Sequence, residues 1–372
     1  MVVLTLGGAF IVGYRLSVGD RATTAVAAPR VVDQVRSALQ GAYYRPVPAS
    51  VLRIGNVRQM LSALDDPYTA YLRPATYRLV RQETASTYTG IGASVLPAGH
   101  RFVVVSLLAG PAQAAGMQVG DTIVRIGGKS TANMSMTHAM ARILGPPGTR
   151  VHLQLLREGR LVDLQVRRAV IHAPPVQARV VSYVGHRYGV VAVSSFSVGT
   201  AVLVRRELHR LGHEGAKGLV LDLREDPGGL VAQAVNVTSL FIDHGIVVSL
   251  QGLHQPQEVL RANPGNATKL PLVVLVDRYT ASAAEIVAAA LRDNHRATIV
   301  GERTFGKALV QAVDPLTNGA ALELSIAHYT TPSGQDLSGV GLEPQIRARD
   351  DPRTGQDEAL TTALRVLTRP AS

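Results

Sequence analysis

The sequence predicts a mixed α/β protein that contains an inserted β-rich module and a small helical N-terminal region. From residue 189 onward, strand-like and helix-like segments alternate, and two of the strands (218–223 and 270–276) are continuously apolar. Continuous apolar runs of this length are typical of parallel strands that are buried on both faces. Between about residues 88 and 169, short β-branched runs separated by glycine turns indicate the β-rich module instead.

Composition limits the classes of function that need to be considered. The chain has 372 residues, of which 46% are hydrophobic and 17% charged, so it can bury a substantial core. The net charge is +11, but the basic residues are scattered and aromatic residues make up only 4%. We therefore expect no nucleic-acid partner. There is no cysteine, no HExxH motif and no compact His/Asp/Glu group, so no metal site or cofactor is expected.

The first 20 residues form an apolar segment that resembles a signal or anchor. The run is short for a membrane-spanning helix, which needs about 20 apolar residues, and it lacks a basic leading region. Either the start codon is placed late and clips a signal or anchor, or the run is a buried element. We favour export, with anchoring to the membrane through this segment and an extracytoplasmic location in the periplasm or cell envelope.

Residues 30–85 are expected to form a helical N-terminal region that is part of the core. Helical spacing of apolar residues occurs in 31–40 and again in 51–64. The stretch LDDPYTAYL (64–72) follows, and Asp65, Asp66 and Pro67 predict a turn there.

Residues 86–170 are expected to form the β-rich module. A glycine-rich stretch at 89–95 is the entry into its first strand, and further strands are predicted at 102–107, 122–126, 151–157 and 161–166. Gly127 and Gly128 predict a hairpin turn. An amphipathic helix is predicted at 135–144, ending before Pro146 and Pro147.

Residues 171–350 are expected to form the α/β core, and 351–372 a helical tail. The predicted order is a strand (189–193), a helix (200–211), a strand (218–223), a helix (230–241) and a strand (270–276) that leads into 280–311. Gly228 and Ser282 each follow a buried strand. Because functional groups in open α/β sheets lie beyond the carboxyl ends of strands, we expect them at one edge.

Ser282 is the candidate nucleophile, since it lies in a turn of small residues before a predicted helix (283–294). The start of a helix offers unpaired N–H groups that favour developing negative charge. None of the 11 histidines lies in a glycine-framed turn, so Lys307 is a better candidate base than any of them. Its apolar neighbours favour the neutral amine, and Gln311 is placed to orient it. Taken alone, however, Ser282 is better interpreted as a helix N-cap and Lys307 as a surface lysine.

The run GPAQAAGMQVGDTIVRIGG (110–128), together with the order of strands around it, resembles a PDZ domain. The resemblance implies that the backbone amides of Ile91, Gly92 and Ala93 hold a peptide's C-terminal carboxylate. It also implies that the next strand pairs with the peptide. The helix that carries Met136 and Met140 would line the side-chain pocket, with ordinary core packing as the alternative for either methionine.

Residues 38–347 resemble the carboxy-terminal processing peptidases, or tail-specific proteases, of the Ser–Lys type. The matching stretches occur in the family's order: LDDPYTAYL, TGIGASV, AGMQVGDTIVRIGGKS, LDLREDPGGL, TASAAEIVAAALRD, GERTFGKALVQ and YTTPSGQDLSGVGLEP. The resemblance implies a crotonase-like α/β protease core with an inserted PDZ domain.

The same resemblance implies roles for individual residues. Ser282 matches the nucleophile, Lys307 the general base and Gln311 the residue that orients the lysine. The N–H groups of Gly228 and Ala283 match the oxyanion hole. The family commonly has serine at Thr280 and Ala284, glycine at Ala308, asparagine at Asp226 and aspartate at Gln345. Of these departures, Asp226 matters most, because it adds a carboxylate near the implied oxyanion hole.

We therefore expect an exported serine endopeptidase that grips the C-termini of protein or peptide substrates and cleaves them through an acyl-enzyme. Two alternatives stay open. One is a non-catalytic peptide-binding scaffold that retains the fold, and the other is a protease whose PDZ-like module blocks the site at rest. An adaptor or activator protein and a homo-oligomer are further partners that the sequence leaves open.

Overall fold

The computed structural model describes residues 29–83, 87–98, 101–108, 110–132, 134, 136–172, 175–265, 267–351 and 354–368. The apolar segment 1–20, which we expect to act as a signal or membrane anchor, lies outside these ranges. Within them, none of the helices is both long and apolar enough to cross a membrane.

Helices occur in every region of the chain. Their bounds are α1 Val31–Ala42, α2 Ala49–Leu52, α3 Val57–Ser62, α4 Pro74–Glu83, α5 Pro111–Ala114, α6 Met136–Ile143, α7 Thr200–His213, α8 Val231–Thr238, α9 Ala283–Asp293 and α10 Glu358–Leu367.

Strands alternate with these helices in the second half of the chain and form the β-rich module in the first half. Their bounds are β1 Ala70–Leu72, β2 Thr87–Gly90, β3 Ala93–Ala98, β4 Arg101–Leu107, β5 Thr122–Ile126, β6 Lys129–Ser130, β7 Arg150–Arg157, β8 Arg160–Arg167, β9 Ala169–His172, β10 Val176–Tyr183, β11 His186–Val193, β12 Leu219–Asp222, β13 Ile246–Gly252, β14 Gln255–Arg261, β15 Leu272–Val276, β16 Thr298–Gly301, β17 Leu309–Pro315, β18 Ala321–Thr330 and β19 Ile346–Arg347.

The α/β core is built on a six-stranded sheet in the order β10-β11-β12-β15-β16-β19. All neighbouring strands are parallel except the β10–β11 hairpin. Every residue of β15 is buried, as expected for a central strand of a covered parallel sheet. Helix α10 packs Ala359, Ala363 and Leu364 against one face of this sheet, and the larger apolar cluster fills the other.

A second core sheet places β18 between β1 and β13, with β14 beyond β13, while β17 pairs with β18. Strand β18 is buried along most of its length, and its antiparallel partner β17 comes directly after Lys307. This sheet therefore joins the N-terminal region to the segment that carries the candidate base.

The β-rich module has its own sheet in the order β3-β4-β5-β7-β8, with β6 on β5. It is inserted through a two-stranded stem in which β2 and β9 pair from Thr87↔His172 to Gly90↔Ala169. Its apolar cluster also contains Leu72, Val80 and Ala321, which belong to β1, α4 and β18. The module and the core thus share buried contacts.

Two predicted segments are interrupted in the structure. The stretch with helical spacing at 51–64 contains two helices, α2 and α3, and Asn56 caps α3 by accepting the N–H of Gln59 at 3.1 Å. Asparagine competes with helical hydrogen bonding and favours such a cap. The glycine-rich entry at 89–95 spans the end of β2 and the start of β3, and Gly92 lies between these two strands with φ of +76°.

Candidate active site

Three neighbouring strands of the core sheet bring the site together. The segment with Gly228 follows β12, the turn with Ser282 follows β15, and the turn with Lys307 follows β16. These strands are adjacent and parallel, so their carboxyl ends meet at one edge. The expectation that Gly228 and Ser282 lie at the same edge agrees with this arrangement.

Ser282 stands at the N-terminus of α9 in a strained conformation, with φ of +58° and ψ of −110°. A non-glycine residue with positive φ is uncommon and is found at sharp functional turns. The side chain is almost fully buried, at 1% exposure. Helix α9 is buried along nearly its whole length, which small alanines permit, so the turn rests on a rigid support.

Glu285 connects the serine turn to the lysine turn. One oxygen of its carboxylate, Oε2, accepts the N–H of Ser282 at 2.7 Å and the N–H of Lys307 at 2.9 Å. The other, Oε1, accepts the N–H of Gly306 at 2.8 Å and the hydroxyl of Thr304. Burial raises the pKa of Glu285, while these hydrogen bonds act in the opposite direction. The carboxylate therefore clamps both candidate catalytic residues by their backbones.

Tyr329 makes a second connection between the same two residues. Its hydroxyl, on the buried strand β18, lies 2.8 Å from the carbonyl oxygen of Lys307 and 3.3 Å from that of Ser282. Ser282 and Lys307 are thus tied through their N–H groups by one side chain and through their carbonyls by another. The two residues are neighbours in space although they are distant in sequence.

The surroundings of the Lys307 amine favour its neutral form. Burial lowers the pKa of Lys307 to about 7, although the negative charges of Glu323, Asp66 and Glu285 act to raise it. Burial also raises the pKa of Glu323, against the attraction of Lys307. The Nζ atom lies 4.8 Å from the centre of the Tyr68 ring. A lysine with this environment can act as a base near neutral pH.

Gln311 is fully buried on β17. Its Nε2 donates to the hydroxyl of Ser325 at 3.3 Å, but its Oε1 accepts no hydrogen bond from any residue that the structure describes. Buried carbonyl oxygens are seldom left without a donor. The sequence interpretation, in which Gln311 orients the lysine, stays a prediction, and the unused acceptor is of the type that it requires.

The two expected oxyanion-hole donors differ in this structure. Ala283 is the first residue of α9, where an N–H has no partner within the helix. The N–H of Gly228, in contrast, donates to Oδ1 of Asp226 at 2.8 Å. Asp226 therefore points inward, and it occupies the donor that the resemblance assigns to substrate.

In the PDZ-like module, the carbonyls of Ile91 and Gly92 accept the N–H groups of Ala112 and Leu108 at 2.8 and 2.9 Å. These bonds hold the glycine-rich loop in place before β3. Met140 is fully buried in the module's core, so in this conformation it offers no surface to a peptide. The side chain of Met136 lies outside the described part of the structure.

Four residues of the site were missed by sequence reasoning: Tyr68, Glu285, Glu323 and Tyr329. Only Glu285 carries a local signal, because a serine followed three residues later by glutamate is the pattern of a capping box. The LDDPYTAYL stretch was interpreted as part of a small helical region, yet it supplies the ring beside Lys307. The described residues contain no group of three or more His, Asp or Glu side chains that could hold a metal ion.

Matches to family models and to solved structures identify the class of protein to which this chain belongs. Residues 103–157 match the model of the PDZ domain, and residues 187–348 match the model of peptidase family S41. The fold is shared with a putative S41 protease from Bacteroides fragilis, with a TM-score of 0.60, 16% identity and coverage of 94% of this chain and 99% of the other. The chain thus has the architecture of a protease with a PDZ domain.

Relatives with higher sequence identity show the family within this class. The chain is 38% identical to the carboxyl-terminal-processing protease of Synechocystis sp., over 77% of this chain and 69% of that protein. It is 35% identical to the carboxy-terminal processing protease CtpA of Bacillus subtilis, over 82% of this chain and 66% of the relative. The solved photosystem II D1 C-terminal processing protease superposes with a TM-score of 0.72 at 29% identity, covering 91% of this chain and 97% of the other. The chain belongs to peptidase family S41, among the carboxyl-terminal-processing proteases.

Proposed function

We propose that this protein is a serine endopeptidase that works through a Ser282–Lys307 pair. The observation that carries the proposal is the double connection between the two residues through Glu285 and Tyr329. Neutral Lys307 takes the hydroxyl proton of Ser282 as the oxygen attacks a peptide carbonyl, and then protonates the leaving amine. The resulting acyl-enzyme is hydrolysed by water. Gln311 orients the lysine amine.

The PDZ domain is proposed to recognise the C-terminus of the substrate. A cleft of 680 Å³ separates the module's Val119 and Gly120 from the core residues Glu225, Asp277 and Tyr279. These core residues lie in the segments that lead to Gly228 and Ser282. The cleft therefore offers a substrate chain a path between the module and the segments that carry the candidate catalytic residues. The relatives are bacterial and chloroplast proteins, and we propose an extracytoplasmic location here.

The direct test is cleavage of an unstructured protein such as casein by four single variants. Ser282→Ala and Lys307→Ala should each reduce cleavage to background, because nucleophile and base act as a unit. Ser182→Ala and Lys217→Ala, which alter exposed side chains of the same types, should retain full activity. Mass spectrometry of the digests would identify the cleaved bonds. Retained cleavage in either Ser282→Ala or Lys307→Ala would refute the assignment.

A protease that is closed at rest is the second candidate, and specific observations favour it. Ser282 and Lys307 are only 1% and 4% exposed, and the N–H of Gly228 is already taken by Asp226. A free C-terminal peptide should then activate cleavage of a second substrate, whereas full basal activity would count against a closed resting state. Peptide binding without turnover under any condition would instead favour the non-catalytic scaffold.

A further inference from the structure

The side chain of Asp226 contacts a proposed oxyanion-hole donor directly. Its Oδ1 accepts the N–H of Gly228 at 2.8 Å, and its own carbonyl accepts the N–H of Ala281 at 2.9 Å, next to Ser282. The side chain is 0% exposed, and Oδ2 has no hydrogen-bond partner among the described residues. A residue that holds both halves of the site is therefore placed to control whether the hole is open.

The protonation state follows from these contacts. A fully buried carboxylate with one unpaired oxygen carries a charge that water no longer stabilises, which costs far more than burying the uncharged acid with an unpaired O–H group. Burial raises the pKa of Asp226 well above its ordinary value, the Gly228 N–H partly offsets this, and the charge of Asp277 raises the pKa further. Asp226 therefore keeps its proton to a higher pH than an ordinary aspartate.

The charged groups around Asp226 act in the same direction or are engaged elsewhere. Asp277, on the turn after β15, is itself buried and accepts the N–H groups of Glu225, Tyr279 and Thr280. Glu225, on the same segment as Asp226, also has its pKa raised by burial. The Arg224 guanidinium is bound to Asp222, Asp350 and Asp357. The charged neighbours therefore provide no counter-ion dedicated to Asp226.

The conformation of the next residues limits how the donor can move. Gly228 and Gly229 have φ of +104° and +144°, and a Cβ at Gly229 would fall 2.5 Å from the carbonyl oxygen of Phe196. The N–H of Gly228 is thus held by a backbone that only glycine allows. The partner that it meets at rest is the Asp226 side chain.

We propose that Asp226 is a protonation-dependent latch on the oxyanion hole. As a neutral acid it holds the N–H of Gly228 weakly and releases it to the substrate's oxyanion. When it loses its proton, the bond becomes charge-assisted and about twice as strong, and the added negative charge opposes an oxyanion. Catalysis then stops. This inference rests on the proposed Ser282–Lys307 function and assigns Asp226 as a positioning residue, since its effect acts through Gly228.

The first test compares the pH profiles of kcat/KM for the wild type and Asp226→Asn, with Asn as a permanent mimic of the neutral acid. The two should agree within about twofold at low pH. Above the pKa of Asp226, the ratio of variant to wild type should rise about tenfold per pH unit, because the wild type ionises and the variant cannot. Asp314→Asn, at a partly buried carboxyl on β17, should follow the wild-type profile. A constant ratio for Asp226→Asn would overturn the latch.

The second test does not depend on catalysis. In a Ser282→Ala background, the denaturation midpoint is measured against pH with and without Asp226→Asn. A raised folded-state pKa means that the folded state holds the proton more tightly than the unfolded state. Asp226 therefore loses stabilisation as pH rises from its unfolded to its folded pKa. The midpoint of Asp226→Asn relative to its parent should increase over that window and then level off.

Together, the two tests distinguish failure of the Asp226 latch from failure of the proposed protease function. A flat midpoint difference would show that Asp226 ionises normally and would overturn the latch even if the protein is an active protease. A pH-dependent difference between the two denaturation midpoints, without any turnover by the wild type, would support a buried neutral acid at Asp226. It would contradict the proposed protease function instead. The first test measures a rate in folded protein, and the second measures an unfolding transition. A variant that fails to fold would show no such transition and would be recognised by its absence.

Discussion

At the scale of single residues, the site is organised by carboxylates as much as by the serine and lysine. Glu285 binds the N–H groups of Ser282 and Lys307, and Asp226 binds that of Gly228. Glu323 and Asp66 add negative charge around the amine without preventing burial from lowering its pKa. The balance between burial and these charges decides the pH at which Lys307 becomes a base.

This balance predicts a pH-dependent rate. Lys307 is inactive as a base while it is charged, so kcat/KM should rise as pH increases through about 7. Glu323→Gln removes a negative charge that favours charged lysine, so the rising limb should move to lower pH. The measurement is the pH profile of peptide cleavage for both proteins.

Glu302→Gln provides the control for that experiment, because this carboxyl lies beyond β16 and pairs with Arg349 instead. Its profile should match that of the wild type. If Glu323→Gln left the limb in place or moved it to higher pH, the electrostatic account of Lys307 would be wrong.

At the scale of elements, the lysine turn is held by close backbone packing against the segment that follows β18. Gly306 has φ of +86°, and an added Cβ would lie 2.7 Å from the N atom of Gly341. In the other direction, a Cβ at Gly341 would fall 2.1 Å from the carbonyl oxygen of Thr304. The two turns can therefore pack this closely only because each presents a glycine to the backbone of the other. This contact fixes the position of the turn that carries Lys307.

Gly341→Ala should consequently displace the lysine turn. Left-handed strain alone costs about 1–2 kcal/mol, and overpacking adds about 1–3 kcal/mol. We expect a loss of folding free energy above 2 kcal/mol and at least a tenfold loss of kcat, read from denaturant unfolding and peptide cleavage.

Gly339→Ala is the matched control, since Gly339 has φ of +66° but no atom within 4 Å of an added Cβ. Gly339→Ala should lose only the folding free energy that left-handed strain costs, and its kcat should be nearly normal. Equal effects of the two substitutions would mean that the close contact with Thr304 does not position the catalytic turn.

At the scale of the whole molecule, the PDZ domain is attached to the core by more than its two-stranded stem. Leu72, Val80 and Ala321 of the core region are buried in the module's own apolar cluster. The module therefore packs directly against β1 and β18, and β18 also carries Glu323 and Tyr329, which lie beside Lys307. If the module binds peptides as proposed, these contacts are where binding could affect Lys307.

The proposed C-terminal recognition predicts that amidating a substrate's C-terminus reduces kcat/KM by about tenfold or more. A charge-assisted hydrogen bond contributes roughly 1.5–3 kcal/mol, and the amide removes the charge. Paired peptides of identical sequence, free and amidated, would be compared by mass spectrometry. Equal cleavage of the pair would exclude recognition of the carboxylate.

The local pattern of the sequence predicted the mixed α/β class and the β-rich module, because turn chemistry and periodicity are readable along short runs of the chain. The PDZ domain and the family were predicted from the resemblance of ordered stretches to known proteins. The roles of Ser282 and Lys307, which that resemblance implies, stay predictions. Helix α9 and strands β5 and β15 lie close to where that periodicity places them. The antiparallel strands β13 and β14 went unpredicted, because the sheet that they join depends on partners far away in sequence.

Tertiary structure alone decided how the site is held and whether it is open. The clamp by Glu285 and Tyr329 and the Tyr68 ring beside the amine join segments that are distant along the chain. The bond from Gly228 to the Asp226 carboxyl is local, but only the packing around it buries that carboxyl completely. A sequence specifies which hydrogen-bonding groups exist, but only the folded chain determines which of them meet and which are shielded from water. Those contacts set the pKa values, and through them the conditions under which the proposed Ser282–Lys307 pair can act.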